Sequence, residues 1–249
     1  MTSRRNFITT TGAAAAALMI NSSWTLKKDT LENFGFIAGI IGKELDNDWE
    51  STLRKVAGMG FTEMETGKYY GESATSFLQF CSQLGISPIA GGIKFTDNKE
   101  ELKINIEKLH ELKLKFAVTY WPWLSGGPFK LDDCRKSAEI LNIIGQICKE
   151  SGLTFCWHNH DKEFIAMEEG MPFDYLMKNT DPSLVYCEMD IYWVKKGGAD
   201  PLQILKNTKE GYPFYMLRTW LLVQIRISNA REAELLIFQP FFVKRKTRV

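Results

Sequence analysis

Residues 155–164 read Phe-Cys-Trp-His-Asn-His-Asp-Lys-Glu-Phe, and the change of character inside this stretch decides how the chain is read. The apolar run 153–157 predicts a buried strand. It stops abruptly at His158, Asn159, His160 and Asp161, with Glu163 two residues on. Strand residues alternate faces, so His158 and His160 are expected on one face and Asn159 on the other. Two of the three histidines of the chain therefore meet where an apolar strand ends. Neutral imidazole is a common metal ligand and a common general base. The plainer alternative is a histidine pair bonded only to loop backbone.

Working outward, the same alternation recurs on both sides. Apolar segments at 34–41, 61–66, 86–93 and 116–121 precede the histidine strand; a segment at 184–190 follows it, and another begins at 212–215. Amphipathic stretches separate them. Asp48 is placed to cap a helix carrying Trp49, Leu53, Val56 and Ala57 on one face, and Ser73 and Asn98 are placed to cap the next two. A long helix is expected over 131–151, a short one from Pro172 to about Asn179, and another from Asp200-Pro201. A βα repeat sustained this far means a parallel sheet, either doubly wound and open or closed as a barrel. No GxGxxG follows any strand, which weakens the dinucleotide-binding form.

In a barrel, active residues stand at the C-terminal ends of strands. Those positions here hold Glu63 and Glu65, Lys94, Tyr120, Trp121 and Trp123, His158 and His160, and Glu188 and Asp190. Glu188 and Asp190 share a face at i, i+2. A carboxylate in an apolar strand needs a partner; a divalent metal shared with the histidine strand would serve, as would Lys195 or Lys196. Trp121, Trp123 and Trp193 could form a sugar-stacking wall or simply core. Glu163 reads as a base, a substrate contact or a solvated loop residue. His110, among Lys108, Glu111 and Lys113, reads as solvated.

The chain has 249 residues, 45% of them hydrophobic, with formal net charge +1. That length suits a sizeable core. The neutral balance gives no support for nucleic-acid binding, which leaves a basic footprint. The five cysteines are scattered, without CxxC or zinc-ligand spacing, and read as buried thiols. Ser3-Arg4-Arg5-Asn6-Phe7-Ile8, followed by an apolar stretch from Ala13 to Ile20, resembles a twin-arginine export signal. The apolar stretch is too short for a stable membrane span. Residues 1–29 are thus read as export signal and linker, which implies the twin-arginine machinery as a partner and a periplasmic or otherwise exported location.

The segment HNHDKEF, with GMPFDYLMKNTDPSLVYCEMDIYWVKKGGADP after it, resembles the sugar phosphate isomerase/epimerase family with the xylose-isomerase-like TIM barrel. The likeness runs more loosely back through DWESTLRKVAGMGFTEME and covers roughly residues 33–215. It implies a (β/α)8 barrel, taken here as residues 30–215. It also implies one divalent ion at the barrel mouth, Mn2+ foremost, with Mg2+, Co2+ or Zn2+ as alternatives. His158 matches the strand-five ligand position, where many relatives carry Glu, with His160 as the alternate; Asp190 matches the strand-six ligand. Glu163 and His160 are then the catalytic candidates, and Glu65, Trp121, Glu188 and Trp193 the substrate-binding ones. The implied chemistry is proton transfer beside a carbonyl of a small sugar or sugar-like substrate, through an enediolate. Isomerisation, epimerisation and dehydration, of keto-sugars or inosose-type cyclitols, all begin this way. A non-catalytic carbohydrate-binding barrel is the alternative from another class.

After Tyr215 the resemblance stops. The family expects a strand such as FPLLHVKDM, whose histidine is the third ligand. ATG TTA AGG ACA TGG encodes Met216 to Trp220; one C placed in front reads CAT GTT AAG GAC ATG, or HVKDM. With permitted codons the reading continues into GSGTIDF, matching the family's GxGxIDF. Residues 216–249 are therefore read as a frame-slipped tail. The barrel is expected to be incomplete, with about seven strands, and the truncated chain inactive.

Overall fold

A computed structural model describes residues 35–123 and 128–207, together with three strand segments at 215–218, 223–225 and 233–235. The expected export signal, most of the tail and the connection ahead of the seventh strand lie outside the described residues. Seven strands form one sheet: β1 (Gly35–Ile37), β2 (Glu63–Glu65), β3 (Ser87–Gly92), β4 (Phe116–Thr119), β5 (Thr154–His158), β6 (Tyr186–Asp190) and β7 (Tyr215–Arg218). Every neighbouring pair is parallel, and the strands lie in chain order without a reversal. A doubly wound sheet reverses order at a switch point; an unbroken order is that of a barrel. The fold is an incomplete (β/α)8 TIM barrel. Among the described residues no eighth parallel strand appears; β8 (Val223–Ile225) and β9 (Ala233–Leu235) make a separate antiparallel pair.

Between the strands run α1 (Gly42–Gly58), α2 (Ala74–Gln83), α3 (Lys99–Glu111), α4 (Leu131–Glu150), α5 (Pro172–Asn179), α6 (Ile191–Lys196) and α7 (Pro201–Asn207). Side-chain caps set several starts. Ser73 accepts from the Ser76 amide, and Asn98 accepts from the Glu100 and Glu101 amides. The first strand is shorter than its apolar run, because Ala38–Ile41 winds into a 3-10 turn and α1 begins at Gly42. Asp48 still caps: its backbone is non-helical inside α1, and its carboxylate accepts from the Ser51 amide at 3.0 Å, starting a second helical run after a kink. The short helix α6 was not foreseen, since its six residues give no periodic pattern.

Alternation along the strands divides two layers. Phe36, Met64, Ala117, Phe155, Trp157, Cys187 and Met189 pack outward against the helices in the main core. Ala90, Val118 and Cys156 line the lumen with Phe116, Tyr120 and Tyr186. Gly92 leaves space for the Tyr120 ring. A Cβ on Gly92 would stand 3.3 Å from the Tyr120 ring. All five cysteines are buried and free, as expected from their apolar surroundings. Burial pushes the Cys81 and Cys148 thiols up to about 12. No helix among the described residues is long and apolar enough to cross a membrane.

Candidate active site

The register of β4, β5 and β6 brings the site together. Val118 pairs with Cys156 and His158 with Glu188, so the lumen face of β5 continues from Cys156 to His158. His158 is 1% exposed, and Glu188 and Asp190 are fully buried. The imidazole lies between the two carboxylates: Nδ1 is 3.8 Å from Glu188 Oε2, and Nε2 is 3.8 Å from Asp190 Oδ2. Of the two expected lysines, one is engaged elsewhere. Lys196 pairs with Asp161 at 3.2 Å and lies over the Trp193 ring. The Tyr120 ring is 5.6 Å from that of His158, and its hydroxyl donates to Glu65. Glu65, 4% exposed at the end of β2, thus joins the lumen cluster.

His160 lies just past the strand end, its ring 4.9 Å from that of His158. It is stacked on Trp121 at 3.7 Å and 19°, with Trp193 at 5.1 Å and Trp123 edge-on at 5.9 Å. Trp121 is 53% exposed, so its ring combines a packed histidine contact with a solvent-facing surface. Trp121, Trp123 and Trp193 thus each stand against the same histidine.

Glu163 is placed elsewhere. It is fully buried, and both carboxylate oxygens accept from the His160 amide at 3.1 Å. Its surroundings include Trp157 and Cys187, which pair across β5 and β6 and belong to the outer core. It stands behind the strand that carries His158, on the helix side of the sheet, and the structure does not bring it to the lumen cluster. The solvated-loop alternative fails for the same reason. Desolvation raises its carboxyl to about 7, against the pull of the His160 amide and, more weakly, of the Trp157 indole, which makes no hydrogen bond of ordinary geometry.

Sequence reasoning left out two residues of this region. Tyr120 was noted only as a strand-end aromatic; its i, i+2 relation to Val118 was the signal that it faces the lumen. Asn159 was assigned only to the opposite face. It is fully buried, and its amide makes two hydrogen bonds to the Asp190 backbone, donating to the carbonyl at 3.2 Å and accepting from the N–H at 2.9 Å. Asp190 in turn caps α6, its Oδ1 accepting from the Tyr192 and Trp193 amides at 2.9 and 3.3 Å. The end of α6 is held close as well. A Cβ on Gly197 would stand 2.6 Å from the Asp161 carbonyl oxygen and 2.7 Å from Phe164 Cβ. Gly197→Ala is accordingly expected to cost about 1–3 kcal/mol as overpacking, read as a lowered Tm; an unchanged Tm would contradict the packing described.

One imidazole and two carboxylates suit a divalent ion that takes nitrogen and oxygen donors. The fit is partial: among the described residues, no three such groups are arranged to hold an ion by themselves. His158 and Asp190 could supply two donors, with Glu188 on the other side of the imidazole.

No family model matches the chain. An inosose dehydratase of Geobacillus kaustophilus is 27% identical over 193 residues, 68% of this chain and 61% of its own length. One from Clostridium tetani is 25% identical over 185 residues, 65% of this chain and 60% of its own length. The chain thus spans 61% and 60% of the length of these two curated relatives. Among solved structures, a sugar phosphate isomerase/epimerase from Parabacteroides distasonis superposes with a TM-score of 0.66 at 22% identity, over 85% of this chain and 81% of that one. The likeness to this structure is one of fold.

Proposed function

We propose that the protein is a metal-dependent enzyme that moves a proton next to a carbonyl of a small sugar or sugar-like substrate, as an isomerase or epimerase. The observation that carries this reading is the buried convergence of His158, Glu188 and Asp190 at the C-terminal ends of β5 and β6, with Glu65 and Tyr120 beside them. His158 and Asp190 would hold the ion, Mn2+ by preference. When bound, such an ion polarises the carbonyl and adjacent hydroxyl oxygens of a substrate. Glu65, its carboxylate bonded by the Tyr120 hydroxyl, and His160 are the groups able to hold or deliver the proton. Trp121, through its exposed face, and Trp193 bind the apolar face of a sugar ring and exclude water. Glu163 acts only through the turn that carries His160.

Further donors belong to the strands beyond β6. Position 216 on β7 pairs with Glu188, which itself pairs with His158, so the three positions form one rung across consecutive strands. The frame-restored reading puts its histidine at 216. This register supports the proposal that residues 216–249 are a frame-slipped tail, and a DNA read with no missing base near Tyr215 would overturn it. We also propose export through the twin-arginine signal at residues 1–29; a folded reporter fused to them should reach the periplasm, and fail to with Arg4 and Arg5 replaced by Lys.

The sequence relatives favour a second reading, a dehydratase of inosose-type ketones, with the same first proton transfer. One experiment separates the two. Ketoses and inososes are incubated with Mn2+ in D2O, using both the chain as it stands and the base-restored product, and followed by NMR. Deuterium at the carbon beside the carbonyl, with the substrate's oxygen count kept, supports isomerisation or epimerisation. Loss of water supports the dehydratase. Binding without exchange from either protein would contradict both and leave a sugar-binding barrel.

A further inference from the structure

We propose that Asn159 is a positioning residue, which sets how the Asp190 carboxylate faces His158. The β5–β6 ladder ends at the pairing of His158 with Glu188. Beyond it the chain after β5 turns away from β6 into the His160–Glu163 turn, and the Asp190 backbone would lose its neighbour on that side. The Asn159 side chain fills that place. A primary amide offers a donor and an acceptor in one plane, as a peptide group does, and both are used on the Asp190 N–H and C=O. The clamp is fully buried, so water does not substitute for either bond.

The consequence reaches the carboxylate. With the Asp190 backbone fixed by Asn159, and Oδ1 fixed by the Tyr192 and Trp193 amides, Oδ2 is directed at His158 Nε2. Asn159 thus governs the relation of His158 to Asp190 while touching neither group's reactive atoms. The same buried residue joins the turn to β6, and the next amide, that of His160, is held by Glu163. The spacing His-Asn-His then has a physical sense: two imidazoles toward the mouth, and between them an amide that ties their turn to the neighbouring strand.

A built-in control exists. Asn142 makes a clamp of the same kind elsewhere: it donates to the Asn179 carbonyl at 3.2 Å and accepts from the Asp181 amide at 2.7 Å, joining α4 to the turn after α5. Loss of either clamp lowers stability; only the loss of Asn159 should disturb the site.

The test uses the full chain labelled with 15N-histidine, in which His110 on exposed α3 surface is the reference beside His158 and His160. Asn159→Ala removes the clamp, Asn159→Asp keeps its shape while removing its donor, and Asn142→Asp alters the control. The His158 imidazole nitrogen resonances are expected to move in both Asn159 variants with His110 unmoved, and to stay in place in Asn142→Asp despite its lowered Tm. Resonances of His158 that stay in place in Asn159→Asp, or move as far in Asn142→Asp, would overturn the proposal. A second readout rests on the metal reading: Mn2+ affinity, followed by electron paramagnetic resonance, is expected to fall about 10- to 100-fold in the Asn159 variants, as for outer partners of metal ligands. If the unaltered chain binds no Mn2+, the metal reading fails in this chain while the imidazole resonances still decide the role of Asn159.

Discussion

Asp190→Ala is expected to lower divalent-ion affinity by at least about 100-fold, the upper end of what loss of an outer-shell partner costs, and to uncap α6 at the same time. The side chain does two things. Oδ1 accepts from the Tyr192 and Trp193 amides, and Oδ2 lies toward His158. Loss of an N-cap costs about 1 kcal/mol. Asp190→Asn separates the two, since an amide oxygen still caps but the charge is gone. Mn2+ titration and thermal unfolding of both variants should show equal losses of affinity, with the larger fall in Tm confined to Asp190→Ala. Unchanged Mn2+ affinity in Asp190→Asn would remove Asp190 from the metal site.

The second large effect concerns Glu163 and is one of stability. Burial raises its carboxyl from an ordinary value of 4.5 to about 7 in the folded protein. Between those two pH values the folded state holds a proton that the unfolded state has released. Stability must therefore fall as pH rises through that window and level off above it. The shift corresponds to about 3 kcal/mol, at about 1.4 kcal/mol per pKa unit. Glu163→Gln, which still offers an oxygen to the His160 amide, is expected to flatten the profile. Urea unfolding at intervals from pH 4.5 to 7.5 checks this; a slope retained in Glu163→Gln would show that another group is responsible. Because Glu163 acts through the turn, the same substitution should leave Mn2+ affinity nearly unchanged.

Much of the barrel was legible in the sequence because a parallel sheet covered by helices is written in apolar runs with caps between them. Ser73, Asn98 and Asp48 each start helical runs in the structure, and the pairing of His158 with Glu188 follows from strand ends that the apolar runs mark. What was not legible depends on which side of a strand a residue occupies after the strand has ended. Glu163 lies five residues past His158, in a turn where alternation no longer applies, and it folds back to the helix side. Asn159 does obey the alternation, but its partner is a backbone group on another strand, which no spacing reports. Tyr120 keeps the period of β4 and was recoverable. His160 and Trp121 were chosen separately, and their stacking follows from the way the β4 and β5 ends lie side by side.

Position 216 pairs with Glu188 and position 218 with Asp190, so a ligand restored at 216 would share a rung with His158. The most direct measurement is a Mn2+ titration of the base-restored product and of the chain as it stands, each beside its His158→Ala variant. About one ion per base-restored chain is expected, with weaker binding by the chain as it stands and loss of binding in both His158→Ala variants. No binding by the base-restored product, or binding that His158→Ala leaves untouched, would contradict the metal reading.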